Sequence, residues 1–300
     1  MYKRIVVPLD GSKTAEKVLP YARVLAANLA VPVELLNVVD ITALAHRVDA
    51  EEARYLDTII AEDEHSSRAY LQAVARSFAG AEVQCIVRRG NPAKVIIARG
   101  NEVGGSLIAM ATHGRSGLNR WWLGSVAEEV LHATSTPLLL IRGNEETRSG
   151  GDTVIDSVVI PLDGSALAES VLPAAAELAK MLDLELILFR AFELPTSAYY
   201  GSEDYLPNYD QLREQLKQQV RNYLDGKAAQ LSAEGVSQVT AVVVEGSGPK
   251  EIIDYARQTA NNLVAMCTHG RSGMKRLVLG SVTEQVVRRS GDPVLIMRPE

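Results

Sequence analysis

Val7-Pro8-Leu9-Asp10-Gly11-Ser12 closes a short apolar run that opens at Arg4, and the same reading returns as Ile160-Pro161-Leu162-Asp163-Gly164-Ser165. A β-branched run ending in Asp-Gly-Ser reads as a strand buried on both faces that leaves its sheet through a tight turn. The two copies stand 153 positions apart at Asp10 and Asp163. Further on, Thr112-His113-Gly114-Arg115-Ser116-Gly117 recurs letter for letter as Thr268-His269-Gly270-Arg271-Ser272-Gly273, now 156 positions apart. Pro20 pairs with Pro173, Glu128 with Glu284 and Pro137 with Pro293, so one module is written twice, with about three extra residues in the second copy. The expected domains are 1–145 and 153–300. They are joined by a linker at about 143–152 that is polar, glycine-flanked and without apolar period.

Within the first copy the periodicity alternates. After the strand from Arg4, the positions Ala15, Val18, Leu19, Ala22, Leu25, Ala26 and Leu29 follow helical spacing, and Val33 to Val39 reads as a second strand. A longer helix is expected over Leu56 to Phe78, a strand over Glu82 to Val87, and a helix opening at Asn91-Pro92. Leu107 to Ala111 is the fourth strand, Ser125 starts the last helix, and Pro137 to Ile141 is the fifth strand. The β-α-β alternation predicts an α/β fold: two tandem doubly wound domains, each a five-stranded parallel sheet of order 3-2-1-4-5 flanked by helices.

The chain has 300 residues, 47% hydrophobic, with a formal net charge of −6. An acidic balance argues against nonspecific nucleic-acid binding, which needs a broad positive surface. Cys85 and Cys267 sit in different copies inside apolar runs and read as reduced core thiols. Met1-Tyr2-Lys3-Arg4 runs straight into a strand, and no apolar stretch reaches the roughly 20 residues that span a bilayer. A cytoplasmic protein without membrane attachment is expected.

In a sheet wound this way ligands bind beyond the carboxyl ends of the strands, where the winding reverses, between strands one and four. Asp10 and Ala111 to Gly117 converge there. Gly114, Gly117 and Gly124 let backbone approach a ligand, and Gly124-Ser125-Val126 brings N–H groups and a hydroxyl to a helix start, which favours an anion. Arg115 and Arg120, with Arg271, Lys275 and Arg276 in the second copy, add positive charge to the same loop.

Both modules resemble the universal stress protein family in its tandem two-domain form. The motif that carries the resemblance is glycine, two residues, glycine, nine residues, then glycine with serine or threonine. Here it reads Ala111-Thr112-His113-Gly114, nine residues, Gly124-Ser125, and Cys267-Thr268-His269-Gly270, nine residues, Gly280-Ser281. The resemblance implies an adenine nucleotide α-hydrolase-like fold and an ATP site in each module, with ADP or AMP as alternatives and Mg²⁺ carried on the phosphates. It places Asp10 and Asp163 by ribose and base, Pro8 and Val38 against the base in the first copy, and Pro161 and Ala191 in the second. Met110 and Met266 close over the nucleoside. Gly114, Gly124, Ser125 and Val126, with Gly270, Gly280, Ser281 and Val282, bind phosphates. His113, Arg115 and Gly117, and His269, Arg271 and Gly273, complete the two loops. The motif's first glycine is Ala111 in one copy and Cys267 in the other, and the bulkier cysteine is expected to leave the first module the tighter binder. Pairing of the two modules through their last strands, with a further homodimer, is also implied.

Blander readings stand beside these. Asp10 also fits a turn cap, Arg115 and Arg271 fit solvated surface charge, and Cys267 fits a small buried residue as well as an oxidant sensor. His113 and His269 have no evident carboxylate or nucleophile partner, so a role in orienting the loop is expected over acid–base catalysis. Ser125 and Ser281 lack a nucleophile elbow, and His46, His65 and His132 lack metal-ligand spacing. Gly246-Ser247-Gly248 begins like a dinucleotide fingerprint, but Glu251 stands where its third glycine belongs. No catalytic residue and no metal ligand is assigned. Tyr199 to Tyr209 reads as a partner surface, a lid, or packing. The function expected is a nucleotide-dependent regulator in stress response. The alternatives are a slow ATPase or autophosphorylating enzyme, with Ser125 or Ser116 as acceptor, and a nucleotide-free scaffold.

Overall fold

A computed structural model describes residues 2–45, 55–112, 123–142, 153–194, 209–268 and 279–298. The chain divides into two compact units, Met1–Val154 with Pro293–Arg298, and Ile155–Asp292 with Pro299–Glu300.

In the first unit strands β1 (Arg4–Pro8), β2 (Val33–Val39), β3 (Val83–Arg89), β4 (Ser106–Thr112) and β5 (Leu138–Arg142) form a parallel sheet of order β3-β2-β1-β4-β5. Ile5, Val6 and Val7 are fully buried, as a strand covered on both faces requires. Between the strands lie α1 (Leu19–Leu29), α2 (Ile41–Ala45), α3 (Leu56–Ala75), α4 (Pro92–Asn101) and α5 (Ser125–Ala133). The stretch Ala15–Val18 forms a 3₁₀ turn instead of joining α1, and Phe78 is buried beyond the end of α3. Asn91 caps α4 by accepting from Lys94 N at 3.0 Å, with Pro92 in the first turn.

The second unit repeats this plan. Its strands are β6 (Ser157–Pro161), β7 (Glu185–Phe192), β8 (Val239–Glu245) and β9 (Asn262–Cys267), in the parallel order β9-β6-β7-β8. Its helices are α6 (Ala166–Glu169), α7 (Leu172–Leu182), α8 (Tyr209–Ala233), α9 (Gly248–Gln258) and α10 (Ser281–Arg289). The three extra residues fall between Tyr223 and Val239, where α8 runs further than α3. The last strand, β10 (Val294–Met297), groups with the first unit. It lies antiparallel beside β5, Leu295 opposite Leu139. Arg298 donates to the carbonyls of Leu131 and His132 there. The linker expected at 143–152 lies outside the described residues.

Backbone detail repeats too. Gly11 and Gly164 adopt φ of +81° and +84° in the Asp-Gly-Ser turns, a conformation that disfavours any side chain. Ala30 and Asp183 end α1 and α7 in the left-handed region.

At the amino ends of the central strands the units part company. Glu34 on β2, 3% exposed, is clamped by Arg4 at 2.8 Å and by Arg99 of α4 at 2.7 Å, while Arg4 also donates to Ser106 Oγ at 2.9 Å and to the Arg99 carbonyl. The second unit has Ser157, Ile187 and Tyr255 at the places of Arg4, Glu34 and Arg99. There Ile187 is buried and Tyr255 packs on Phe189 with ring centroids 5.1 Å apart. Among the described residues no helix is long and apolar enough to cross a membrane.

Candidate functional site

Parallel strands send their carboxyl ends to one edge of the sheet, so the residues just past β6, β7 and β9 meet there by topology. A cavity of about 310 Å³ opens at that edge of the second unit. Pro161, Asp163, Ala191, Met266, Cys267, Gly280, Ser281 and Val282 all line it, together with Leu162, Ala168, Phe189, Arg190, Gly248, Ile252 and Thr283. The volume falls at the lower end of the range usual for small-molecule pockets, roughly 300–1,000 Å³. His269, Gly270, Arg271 and Gly273, with Lys275 and Arg276, lie outside the described residues.

One wall is donor-rich. Gly280 precedes α10 in an extended conformation, and among the described residues no side chain caps the helix, which sets the first-turn N–H groups of Ser281 and Val282 at the cavity with the positive end of the helix dipole. Gly280 N donates to the Thr268 carbonyl at 2.5 Å and Thr283 Oγ1 to the Cys267 carbonyl at 2.9 Å, which fastens the helix start to the end of β9. The other wall is apolar, made by Pro161, Phe189, Ala191, Ile252 and Met266.

Asp163 stands at the end of the apolar wall in an Asx turn. Its Oδ1 accepts from Ser165 N at 2.9 Å and from Ser165 Oγ at 2.6 Å, and Ser165 Oγ in turn caps α6 by accepting from Ala168 N at 3.1 Å. Asp163 thus both closes its turn and lines the cavity.

In the first unit the same edge gathers Pro8 at the end of β1, Val38 on β2, and Met110 and Ala111 on β4, the last two buried. Asp10 Oδ1 accepts from Ser12 N at 2.9 Å. Gly124 precedes α5 in an extended conformation, and Ser125 and Val126 open that helix, again with no side-chain cap. His113, Gly114, Arg115, Ser116, Gly117 and Arg120 lie outside the described residues.

The profile of the universal stress protein family matches residues 1–142 and 155–298. The chain belongs to the universal stress protein family, in tandem form. A universal stress protein of Mycolicibacterium smegmatis is 22% identical over 307 aligned positions, which cover 98% of this chain and 97% of that one. One from Bacillus subtilis is 29% identical over 150 residues, covering 48% of this chain and all of its own length. The crystal structure of a universal stress protein from Archaeoglobus fulgidus superposes with a TM-score of 0.71 at 22% identity over 99% of both chains, a likeness of fold.

Cys267 occupies the place of the family motif's first glycine without filling the cavity. It is 6% exposed, and its Sγ lies 3.0 Å from Ser170 Oγ. Burial pushes its thiol up, outweighing the hydroxyl's opposite pull, so it behaves as a small buried residue and not as a reactive thiolate. Cys85 is half-buried and burial raises its thiol too.

Sequence reasoning missed Leu162, Ala168, Phe189, Arg190, Gly248, Ile252 and Thr283. Gly248 belongs to the turn set aside as a failed dinucleotide fingerprint, and that turn reaches the cavity all the same. Arg190 was visible as a departure between copies, because Asn37 holds its place in the first.

Proposed function

We propose that this chain binds ATP, or another adenine nucleotide, at the carboxyl edge of its sheets and acts in the cytoplasm as a nucleotide-dependent regulator of the stress response. The observation that carries the reading is the cavity of the second unit, where an apolar wall, a hydrogen-bonded carboxylate and a helix start face one another. Each part suits one part of the ligand. Pro161, Phe189, Ala191 and Ile252 offer a dry surface to the base. Asp163 keeps acceptor capacity on a carboxylate and can take hydrogen bonds from ribose hydroxyls. The N–H groups at Ser281 and Val282 receive phosphate oxygens at no reorganisation cost, because the helix already points them outward. Mg²⁺ is proposed to enter on the phosphates, where it would neutralise part of their charge.

Binding is favoured over turnover because Ser281 stands at a helix start, the place of a hydrogen-bond donor to phosphate, and the sequence assigns no general base to it. Denaturing the purified protein and assaying the released small molecules, followed by calorimetric titration of the emptied chain with ATP, tests the proposal. Asp163→Ala is expected to weaken ATP binding about tenfold or more, the scale of a hydrogen bond to a charged group. No heat of binding at saturating ATP, or release of γ-labelled phosphate that disappears in Ser125→Ala, would overturn it.

A further inference from the structure

The two Asp-Gly-Ser turns are held differently. In the first unit the amide of Asn37, 9% exposed, donates to the Leu9 carbonyl at 2.8 Å, and a Cβ added to Gly11 would meet nothing within 4 Å. At the same place in the second unit stands Arg190. A Cβ on Gly164 would lie 2.9 Å from its Nη1, closer than real side chains approach, so the guanidinium packs flush under the turn that carries Asp163. Arg190 Cζ sits 4.9 Å from the centroid of the Tyr223 ring, a cation–π distance. The Tyr223 hydroxyl donates to Glu169 at 2.8 Å, and Lys227 reaches the same carboxylate at 2.7 Å. Glu169 closes α6, the helix capped by Ser165, which itself grips Asp163. The turn is thus pressed between a flat cation below and a capped helix ahead. Among the described residues no hydrogen bond or ion pair engages the Arg190 guanidinium, so its packing against Tyr223 and Gly164 defines its place.

We infer that Arg190 is a positioning residue for Asp163 and that, through it, Arg190 sets the nucleotide affinity of the second module alone. The inference rests on the nucleotide reading above. Its physical basis is preorganisation: a turn already ordered loses less freedom when its carboxylate engages a ribose. Lysine cannot replace arginine in this role, since an ammonium is a point charge and not a plane that lies against both a ring and a turn.

The test is calorimetric titration of the full-length chain with ATP, in wild type, Arg190→Asn, Arg190→Lys, Asp163→Ala and the double variant Asp163→Ala/Arg190→Asn. Arg190→Asn is expected to lose about three- to tenfold in affinity at the second site, the scale of ordering one turn. Arg190→Lys is expected to lose as much, with unfolding temperature unchanged in both. The double variant should bind no more weakly than Asp163→Ala alone, because positioning is worthless once the positioned group is gone. Additive losses in the double variant, restoration by lysine, or wild-type affinity in Arg190→Asn would each overturn the inference while leaving nucleotide binding intact. A wild-type chain that takes no ATP would remove the nucleotide reading itself, and this inference with it.

Discussion

The two units carry the same winding over opposite chemistry at the amino ends of their strands. The first buries Arg4 and Glu34 and closes a charged triad with the half-buried Arg99, and the second places Ser157, Ile187 and Tyr255 there. Two buried ion pairs are weak contributors as a set, because their Coulombic gain is largely cancelled by the water they lost. Broken singly they are expensive, since a buried charge then loses its counter-ion. The pair of units therefore shows that this sheet tolerates either solution, provided each is complete.

The largest effect that would sharpen the contrast comes from mixing the two solutions. Glu34→Ile alone gives the first unit one residue of the second and leaves Arg4 without its carboxylate, while Arg99 keeps Glu102, at an expected cost of about 3 kcal/mol. The triple change Arg4→Ser, Glu34→Ile, Arg99→Tyr is expected to recover most of that loss in denaturant unfolding. A triple variant as unstable as the single one would break the comparison.

A second difference is pH. Asp292 of the second unit stands where the first has Thr136. Burial pushes its carboxyl from 3.8 up to about 6, against the pull of Asn262 and Arg257. The folded chain therefore holds this proton more tightly than the unfolded chain. The stabilisation is fully present below the unfolded value and is lost as pH rises through about 6. Asp292→Asn is expected to flatten the fall in thermal stability between about pH 4 and pH 6, and an unchanged profile would remove the assignment.

The smallest effect concerns a hydrogen bond that both units keep. Tyr70 donates to Glu16 at 3.0 Å as Tyr223 donates to Glu169 at 2.8 Å, but Val74 stands where the second unit has Lys227. Burial works against the ionised form of Glu169, and Lys227 and Tyr223 outweigh it, leaving its pKa lowered. Tyr70→Phe is expected to cost about 1 kcal/mol, and Tyr223→Phe less, because Lys227 still answers its carboxylate. Equal losses in urea unfolding would show that Lys227 does not compensate.

Strand order was legible in the first unit and in the four parallel strands of the second, because central runs such as Ile5–Val7 and Val158–Ile160 are buried on both faces; the fifth strand expected of the second sheet groups instead with the first unit. The cavity lining at Asp163 and Gly280 was legible from a strand end and a helix start, and that at Met266 from the family resemblance. Phe189 and Ile252 were not. Their part in the lining depends on which helix packs over which strand, and a lone apolar residue gives no local sign of that. Nor could spacing alone show that the Cys267 side chain turns to Ser170 and leaves the cavity open. The placement of β10 beside β5 has no local mark either, since an apolar strand does not name its neighbour; pairing at the last strands was implied by the family resemblance alone.

That last strand has a kinetic consequence. Val294–Met297 leaves the ribosome after the whole of the second unit, yet it covers the edge of the first unit's sheet at Leu138–Leu140. During vectorial synthesis the earlier-made half accordingly waits with an uncovered apolar border until the strands of the second unit have been made. A nascent chain stalled before Pro293 would present that border to chaperones or to other nascent chains.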